Sequence, residues 1–384
     1  MDFKQSEEQE LLLENLRELM NRECPESYMR ECDEKHLHPT KLCKALVEGG
    51  YITLGLPEEY GGLNSDILTQ TLVFEEMAKA GGPAYVIISV FVAINDMLEF
   101  GNEEQKQITM DAAHNGLPAF SLAITEPQAG SDNSSITTTA TRRNGKVYIN
   151  GHKTFISGTA GLDEYPNMLV VTRDLDNPNP YKAMSMWWVP GDAPGLKMER
   201  IHKLGGNMRY TFDVYFDNVE IEEDNLIGIE NEGFKQLMKN FELERLVQAA
   251  TSLGYAEAAF EDAARYANQR VQFGKSIGSF QLIQEKITYM AIKLENMRNM
   301  VYKTAWEMDN GLSVQISSAL TKLYCVQSAF EVIDDAMQIF GGLGYTNDLR
   351  IQRFWRDVRV NRIGGGTEQI MIHSSSRAIL KNYK

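Results

Sequence analysis

Short hydroxyl side chains beside glycines, a guanidinium where a helix gives way to a loop, and a carboxylate among apolar neighbours are the groups here best suited to chemistry. Thr125 and Ser131 lie in the segment Ile124–Asp132, and Ser157 lies near the end of Asn150–Gly158. Small hydroxyl donors in a glycine-containing strand-and-turn context can approach the edge of a flat, polar heterocycle closely. The alternative makes Ser157 a turn residue and nearby Phe155 part of a core. Arg270 sits where a helical segment passes into a loop ending at Gly274. Its planar fork suits a pyrophosphate; a surface salt bridge is its other use. Glu244 lies among Phe241, Leu243, Leu246 and Val247. Apolar surroundings disfavour a charged carboxylate and raise its pKa, as a base working near neutrality requires. A lone helical glutamate is otherwise most often an ion-pair partner. Glu242, two positions back, is turned by about 200° on a helix and cannot face the same site. His36 and His38, without further ligands, predict no metal site.

These groups need elements to position them. The first ~115 residues read as helices, with Leu11, Leu12, Leu13, Leu16 and Leu19 at roughly helical spacing. A break follows at Leu56–Gly62, and Leu72, Val73, Phe74, Met77 and Ala78 resume the helical period. The middle third is rich in β signals: turns at Asn144-Gly145 and Asn150-Gly151, and strand-like runs at Met168–Thr172, Met184–Val189 and Thr211–Ile221. The final third returns to helices. Leu282, Ile283, Ile287, Met290, Leu294, Met297 and Val301 form a long amphipathic stripe, and a second helix from about Ile316 to Ile339 stops at Gly341-Gly342. Helices, then strands, then helices do not alternate as a dinucleotide-binding βαβ fold would, and Gly342-Leu343-Gly344 lacks the third glycine of that fingerprint.

The chain has 384 residues, enough for two or three domains, and a formal net charge of −15. That charge disfavours nucleic acid and anionic membranes, which both call for a basic footprint. Cys24, Cys32, Cys43 and Cys325 form no C-x-x-C pair and read as reduced thiols of a cytoplasmic protein. Met1-Asp2-Phe3-Lys4-Gln5 shows no basic-then-apolar leader, and no apolar run approaches the ~18–20 residues of a spanning helix, so no membrane insertion is expected.

Four segments in this order resemble the acyl-CoA dehydrogenase family. They are Ile124–Asp132; Asn150–Gly158; Arg270–Ile277 followed by Phe280-Gln281; and Gln338–Gly342, with Arg356-Asp357 and Gly366-Thr367 after it. The resemblance spans most of the chain. It implies an α+β fold with an N-terminal helical domain (1–118), a middle β domain (119–227) and a C-terminal four-helix bundle (228–384). It also implies FAD. The residue matching Thr125 meets the flavin pyrimidine edge, and that matching Ser157 meets N5. Phe155 stands where the family usually has a tryptophan packed beside the flavin. Arg270, Gln272, Phe273, Thr367 and Gln369 join the cofactor contacts, as does Ser131. Gln338, Gly341 and Gly342 resemble the segment that holds the FAD of a neighbouring subunit, which implies a homotetramer; a helix C-cap is the plainer use of those glycines. Ser131, Arg245 and Arg377 fall at substrate positions, and Arg377 is otherwise an exposed helical cation.

The family interconverts an acyl-CoA and its 2,3-enoyl-CoA, and an electron-transferring flavoprotein is the partner it implies. Many members place the catalytic glutamate directly before the Gly-Thr of the last segment. Here that position is Gly365, which has no side chain. A minority carry the base on a helix of the C-terminal bundle in a pattern resembling Leu243-Glu244-Arg245-Leu246, which makes Glu244 the expected base. Gly365 still offers its backbone N–H to the thioester oxygen. Glu368, one residue past Thr367, is expected to point elsewhere. Phe260–Arg270, Ile292–Met297 and Arg353–Asp357 are similar to bacterial crotonobetainyl-CoA reductases and close relatives, which share the missing late glutamate. A branched- or short-chain acyl-CoA dehydrogenase is the alternative. An oxygen-using oxidase would be longer, and a non-enzymatic flavin-holding protein that binds DNA would be basic.

Overall fold

The computed structural model describes residues 4–158 and 167–383; Met1–Phe3, read above for a leader, and residue 384 lie outside them. Along the chain run α1 (Glu7–Glu23), α2 (Glu26–Lys35), α3 (Thr40–Glu48), α4 (Ile67–Lys79), α5 (Ala84–Phe100) and α6 (Glu103–His114). Strands follow: β1 (Phe120–Ala123), β2 (Thr139–Arg143), β3 (Lys146–Ser157), β4 (Asn167–Arg173), β5 (Met184–Val189), β6 (Leu196–Ile201), β7 (Thr211–Ile221) and β8 (Leu226–Ile227). Then come α7 (Gly233–Gln269), the short strands β9 (Val271–Gln272) and β10 (Lys275–Ser276), α8 (Gln281–Asp309), α9 (Gln315–Phe340), α10 (Ile351–Asn361) and α11 (Glu368–Lys381). The chain divides into two compact units: Glu34–Leu56 with Val86–Phe241, and Met1–Asp33 with Pro57–Tyr85 and Glu242–Lys384.

The first unit carries two four-stranded sheets, ordered β1-β4-β5-β8 and β2-β3-β7-β6. All neighbours are antiparallel except β1 and β4. Met168–Val171 of β4 and Met186–Val189 of β5 are continuous apolar runs because both faces are covered there. Met168 and Val170 join Trp187 and Val189 in a core shared with Val147, Ile149, Val214 and Phe216 of the other sheet. Leu169 and Val171 join Met184, Met186 and Trp188 in a second core with Ala93 and Met97 of α5. Asn144-Gly145 makes the expected turn between β2 and β3, with both residues at positive φ (54° and 77°). Asn150-Gly151 does not turn. It lies inside β3 at a register shift against β7, where Asn150 accepts from the Asn218 N–H at 2.9 Å. The side-chain acceptor serves a bulge, so the dipeptide's turn preference loses to the ladder around it.

In the second unit α9 packs against α8, α10 and α11, and α4 packs against α1 and α8. Its core draws Leu246, Ala249, Ala250 and Leu253 from α7, Met290, Leu294, Met297 and Val301 from α8, and Ala329, Val332 and Ile333 from α9. The α8 stripe is therefore buried only along part of its length: Ile283 and Ile287 are partly covered, and Leu282 is 76% exposed. Gly254 on α7 lets α4 come close, since a Cβ there would stand 2.1 Å from the Glu75 carbonyl oxygen.

That crossing holds a buried charge cluster. Lys79 and Arg298 pair with Glu257, and the Tyr302 hydroxyl donates to Glu75 at 3.1 Å. Burial, and then Glu257, push the Glu75 carboxyl up to about 8, so it is a neutral acid at neutral pH. A group whose folded pKa is raised contributes stability that is complete below its unfolded value and fades as pH rises through the folded one. Unfolding free energy should therefore decline between pH 4.5 and about 8. Glu75→Gln, which cannot ionise, should lose less over that window; urea melts at its two ends check this, and equal slopes in both proteins would contradict it.

Candidate active site

On the β unit, the two hydroxyl-bearing segments are joined by a buried ion pair. Lys153 on β3 donates to Glu126 Oε1 at 2.9 Å and to the Ile124 carbonyl at 2.8 Å. Glu126 also accepts from the Thr137 N–H at 2.7 Å, the Thr137 hydroxyl at 2.9 Å, the Thr138 N–H at 2.9 Å and the Gln128 amide at 2.7 Å. Burial alone would raise the Glu126 carboxyl, but Lys153 and these donors outweigh it and hold the carboxyl at about 2. Burial draws the Lys153 ammonium down to about 8 against the pull of Glu126, so both groups are charged at neutral pH. Beside the pair, the Thr125 carbonyl accepts from the Thr154 N–H at 2.8 Å. The half-buried Ser157 hydroxyl lies 2.6 Å from the hydroxyl of Thr211, its partner across β7. Glu126, Lys153 and Thr211 are not among the expected site residues, although two of them are opposite charges inside the quoted segments.

Phe155 is no core residue. It is 65% exposed, at φ +59°, where the register of β3 against β7 shifts between Lys153 and Ile156. A bulge re-aims a side chain, and a bulky residue in the left-handed region costs of order 1–3 kcal/mol. The fold thus holds an aromatic ring outward, beside Ser157, in a conformation it does not favour. Ser131 is also exposed.

On the helical unit, Glu244 lies half-buried on α7 and accepts from the Gln248 amide, one turn on, at 2.8 Å. Gly365 adjoins this pair. A Cβ built on Gly365 would stand 3.1 Å from Glu244 Oε1 and 2.6 Å from Gln248 Nε2. The carboxylate on α7 therefore lies within a side chain's reach of the position at which a glutamate was the alternative base. Gly365 and Gly366 have φ of +63° and +96°, which glycine adopts without strain. Among the described residues the Gly365 N–H has no acceptor. Lys322 of α9, 1% exposed, donates to the carbonyls of Gly364 and of Gly366, the latter at 2.7 Å. Burial lowers the Lys322 ammonium to about 7; Glu244 and Glu368 oppose the shift and Arg245 adds to it. Arg245 is 8% exposed, and among the described residues its Nε has no hydrogen-bond partner. Lys322 was legible in principle, because Ser318, Lys322, Cys325 and Ala329 form one buried stripe of α9.

The remaining expected residues are more open. Arg270 is exposed and, among the described residues, pairs with no carboxylate, so the salt-bridge use is not taken up. After it Val271-Gln272 and Lys275-Ser276 pair as a hairpin whose tip, Phe273-Gly274, has φ of +51° and +79°. Phe273 is 93% exposed, and Gln272 donates to the Val271 carbonyl. Gln338 and Gly342 are exposed, and Gly341, at φ +62°, caps α9 through its N–H to the Gln338 carbonyl. Thr367 caps α11, accepting from the Ile370 N–H at 3.2 Å, with Gln369 exposed beyond it. Glu368 pairs with Arg362. Arg377 is exposed, with His373 for its nearest polar neighbour at 3.5 Å.

Family models for the acyl-CoA dehydrogenase N-terminal, middle and C-terminal domains match residues 6–116, 121–219 and 231–380. The chain is 54% identical over 385 residues to the probable acyl-CoA dehydrogenase YdiO of Escherichia coli (strain K12), covering 100% of both. Among solved structures, it is 28% identical to butyryl-CoA dehydrogenase from Megasphaera elsdenii, with a TM-score of 0.90 over 99% of this chain and 100% of that one. A chain solved in work on the electron transferring flavoprotein of Acidaminococcus fermentans is 32% identical, with a TM-score of 0.92 over 99% and 100%. PigA, solved with FAD and proline, is 25% identical with a TM-score of 0.92 over 100% of both chains.

Removing one member of a buried ion pair strands the other charge, which costs about 3–5 kcal/mol. Glu126→Gln should therefore melt well below the parent protein, by roughly 10 °C for a unit of this size. Adding Lys153→Met should recover part of that loss. Thermal denaturation followed by circular dichroism tests the order; a double variant less stable than the single would refute it.

Proposed function

Since the chain belongs to the acyl-CoA dehydrogenase family, we propose that it interconverts an acyl-CoA and its 2,3-enoyl-CoA with Glu244 as the base, in the manner of crotonobetainyl-CoA reductase-like members. The protein is an oxidoreductase with FAD as its cofactor. Its own residues suit that group: the Ser157 hydroxyl follows an outward aromatic ring on β3, Thr125 is held to that strand through its carbonyl, and among the described residues Arg270 has no carboxylate to neutralise it. When bound, FAD supplies the acceptor for the hydride that leaves the substrate's third carbon. Glu244 takes the proton from the second carbon, and Gln248 holds the carboxylate by one oxygen, leaving the other for the proton. The Gly365 N–H, which has no acceptor among the described residues, donates to the thioester oxygen as charge builds there. Arg245 places a buried cation next to the base, and Ser131 and Arg377 are assigned to the rest of the acyl-CoA. Gln272, Phe273, Thr367 and Gln369 are assigned to FAD of the same assembly, and Gln338, Gly341 and Gly342 to that of a neighbouring copy, which makes the enzyme a homotetramer. An electron-transferring flavoprotein is the proposed redox partner; likeness to a chain from work on such a flavoprotein supports it. Among the described residues no helix is long and apolar enough to cross a membrane.

The observation that carries the reading is the 3.1 Å between Glu244 Oε1 and the place a Gly365 Cβ would take. Glu244→Gln should keep its yellow flavin colour and lose at least ~10²-fold in the rate of flavin bleaching by acyl-CoA, the scale of a positioned base. Unimpaired bleaching would end the assignment. Restoring a carboxylate with Gly365→Glu in that background should fail, because Gln248 fills the space 2.6 Å from the new Cβ and φ of +63° strains any side chain placed there. Light scattering tests assembly: a stable 43.4 kDa species that retains FAD would contradict the tetramer.

A further inference from the structure

Lys322 is the most buried charge near the proposed base, and both oxygens it grips are backbone carbonyls. Lysine is almost never fully buried without a specific partner. Here the partners are Gly364 O and Gly366 O, on either side of Gly365. The peptide unit is planar and trans, so the Gly364 carbonyl and the Gly365 N–H lie in one rigid plane and point in opposite directions. A donor held on that carbonyl therefore fixes the direction of the N–H. It also draws electron density toward the oxygen and makes the N–H a stronger donor, as in any chain of polarised hydrogen bonds. Left-handed glycines are otherwise the most permissive links in a chain. Gly365 and Gly366 supply the turn, and something else must remove the freedom they bring.

We propose that Lys322 is a positioning residue that aims and polarises the Gly365 N–H as donor to the thioester oxygen. The proposal rests on the reading of Gly365 as that donor. It does not require Glu244 to be the base. Lys322 acts through the peptide plane, gripping the Gly364 and Gly366 carbonyls. Glu244 and Arg245 on α7 and Glu368 on α11 are the other charges acting on it.

The test compares Lys322→Met, close in length and without a donor, with Lys322→Arg, which keeps donors and charge. Hydrogen exchange reads the turn directly: the Gly364 and Glu368 amides, bonded to the Val360 and Arg362 carbonyls, report its opening. In Lys322→Met they should exchange at least ~10-fold faster, while amides of the α8 core keep their parental rates. The flavin-loaded variant should lose at least ~10-fold in kcat with KM within about threefold, the pattern of a donor that acts mainly in the transition state. Lys322→Arg should recover part of both losses. A turn that loosens with kcat unchanged would make Lys322 merely structural, and an unchanged turn would overturn the proposal outright. If Lys322→Met does not fold, Lys322→Gln takes its place with the same two readouts. Glu244→Gln measured alongside keeps the two readings apart: its full activity would remove the base, whereas the exchange arm would still report on the clamp.

Discussion

Lys153 and Glu126 expose 0% and 1% of their side chains, yet they carry opposite charges 2.9 Å apart. Leaving water costs each charge several kcal/mol, and one partner alone does not recover that. The site recovers it with numbers. Three donors reach one Glu126 oxygen, the Thr138 N–H joins Lys153 on the other, and the lysine finds a second acceptor in the Ile124 carbonyl. Such a network has one satisfied arrangement, so it fixes the chain on both sides of it. Thr125 is the neighbour of one charge and Thr154 of the other, and they are bonded through the backbone. Ser157 and Phe155 take their places from the same strand.

The helical unit solves a similar problem by different means. Its buried lysine meets two carbonyl dipoles in place of a carboxylate, and the nearest acids act at longer range. The difference has a consequence for chemistry. Glu126 is fully engaged by its donors and is locked as an anion, useless for proton transfer. Glu244 accepts one hydrogen bond, from an uncharged amide. A carboxylate that must exchange a proton during turnover needs that looser attachment, and Lys322, occupied with carbonyls, leaves it free.

Much of this was legible in the residues. β5 and β7 have the limits their sequences suggest, and α9 departs from expectation by a residue at each end. Runs of apolar residues bounded by turn signals depend on local preference and burial together, and here both agree. Gly365 and Glu244 could be read as alternatives from their types alone. The contact between them could not, because it joins positions over a hundred residues apart through a glycine that has no side chain to suggest a neighbour. Glu126 and Lys153 escaped for a related reason. A charge in a sequence reads as solvated, and only the fold brings a second charge close enough to bury both. Asn150-Gly151 was misread because its turn preference is real but weaker than the ladder on either side of it.

The least predictable feature is conformational. Phe155 and Phe273 both sit at positive φ, +59° and +51°, at positions where asparagine or glycine would be relaxed. Both rings are exposed, and Phe273 meets Phe280 only edge-on at 6.1 Å, so little buried area offsets the strain. Phe273 occupies a two-residue hairpin tip beside Gly274, and Phe155 a bulge beside Ser157. In each case the surrounding ladder over-determines the backbone and the ring is what the distortion presents.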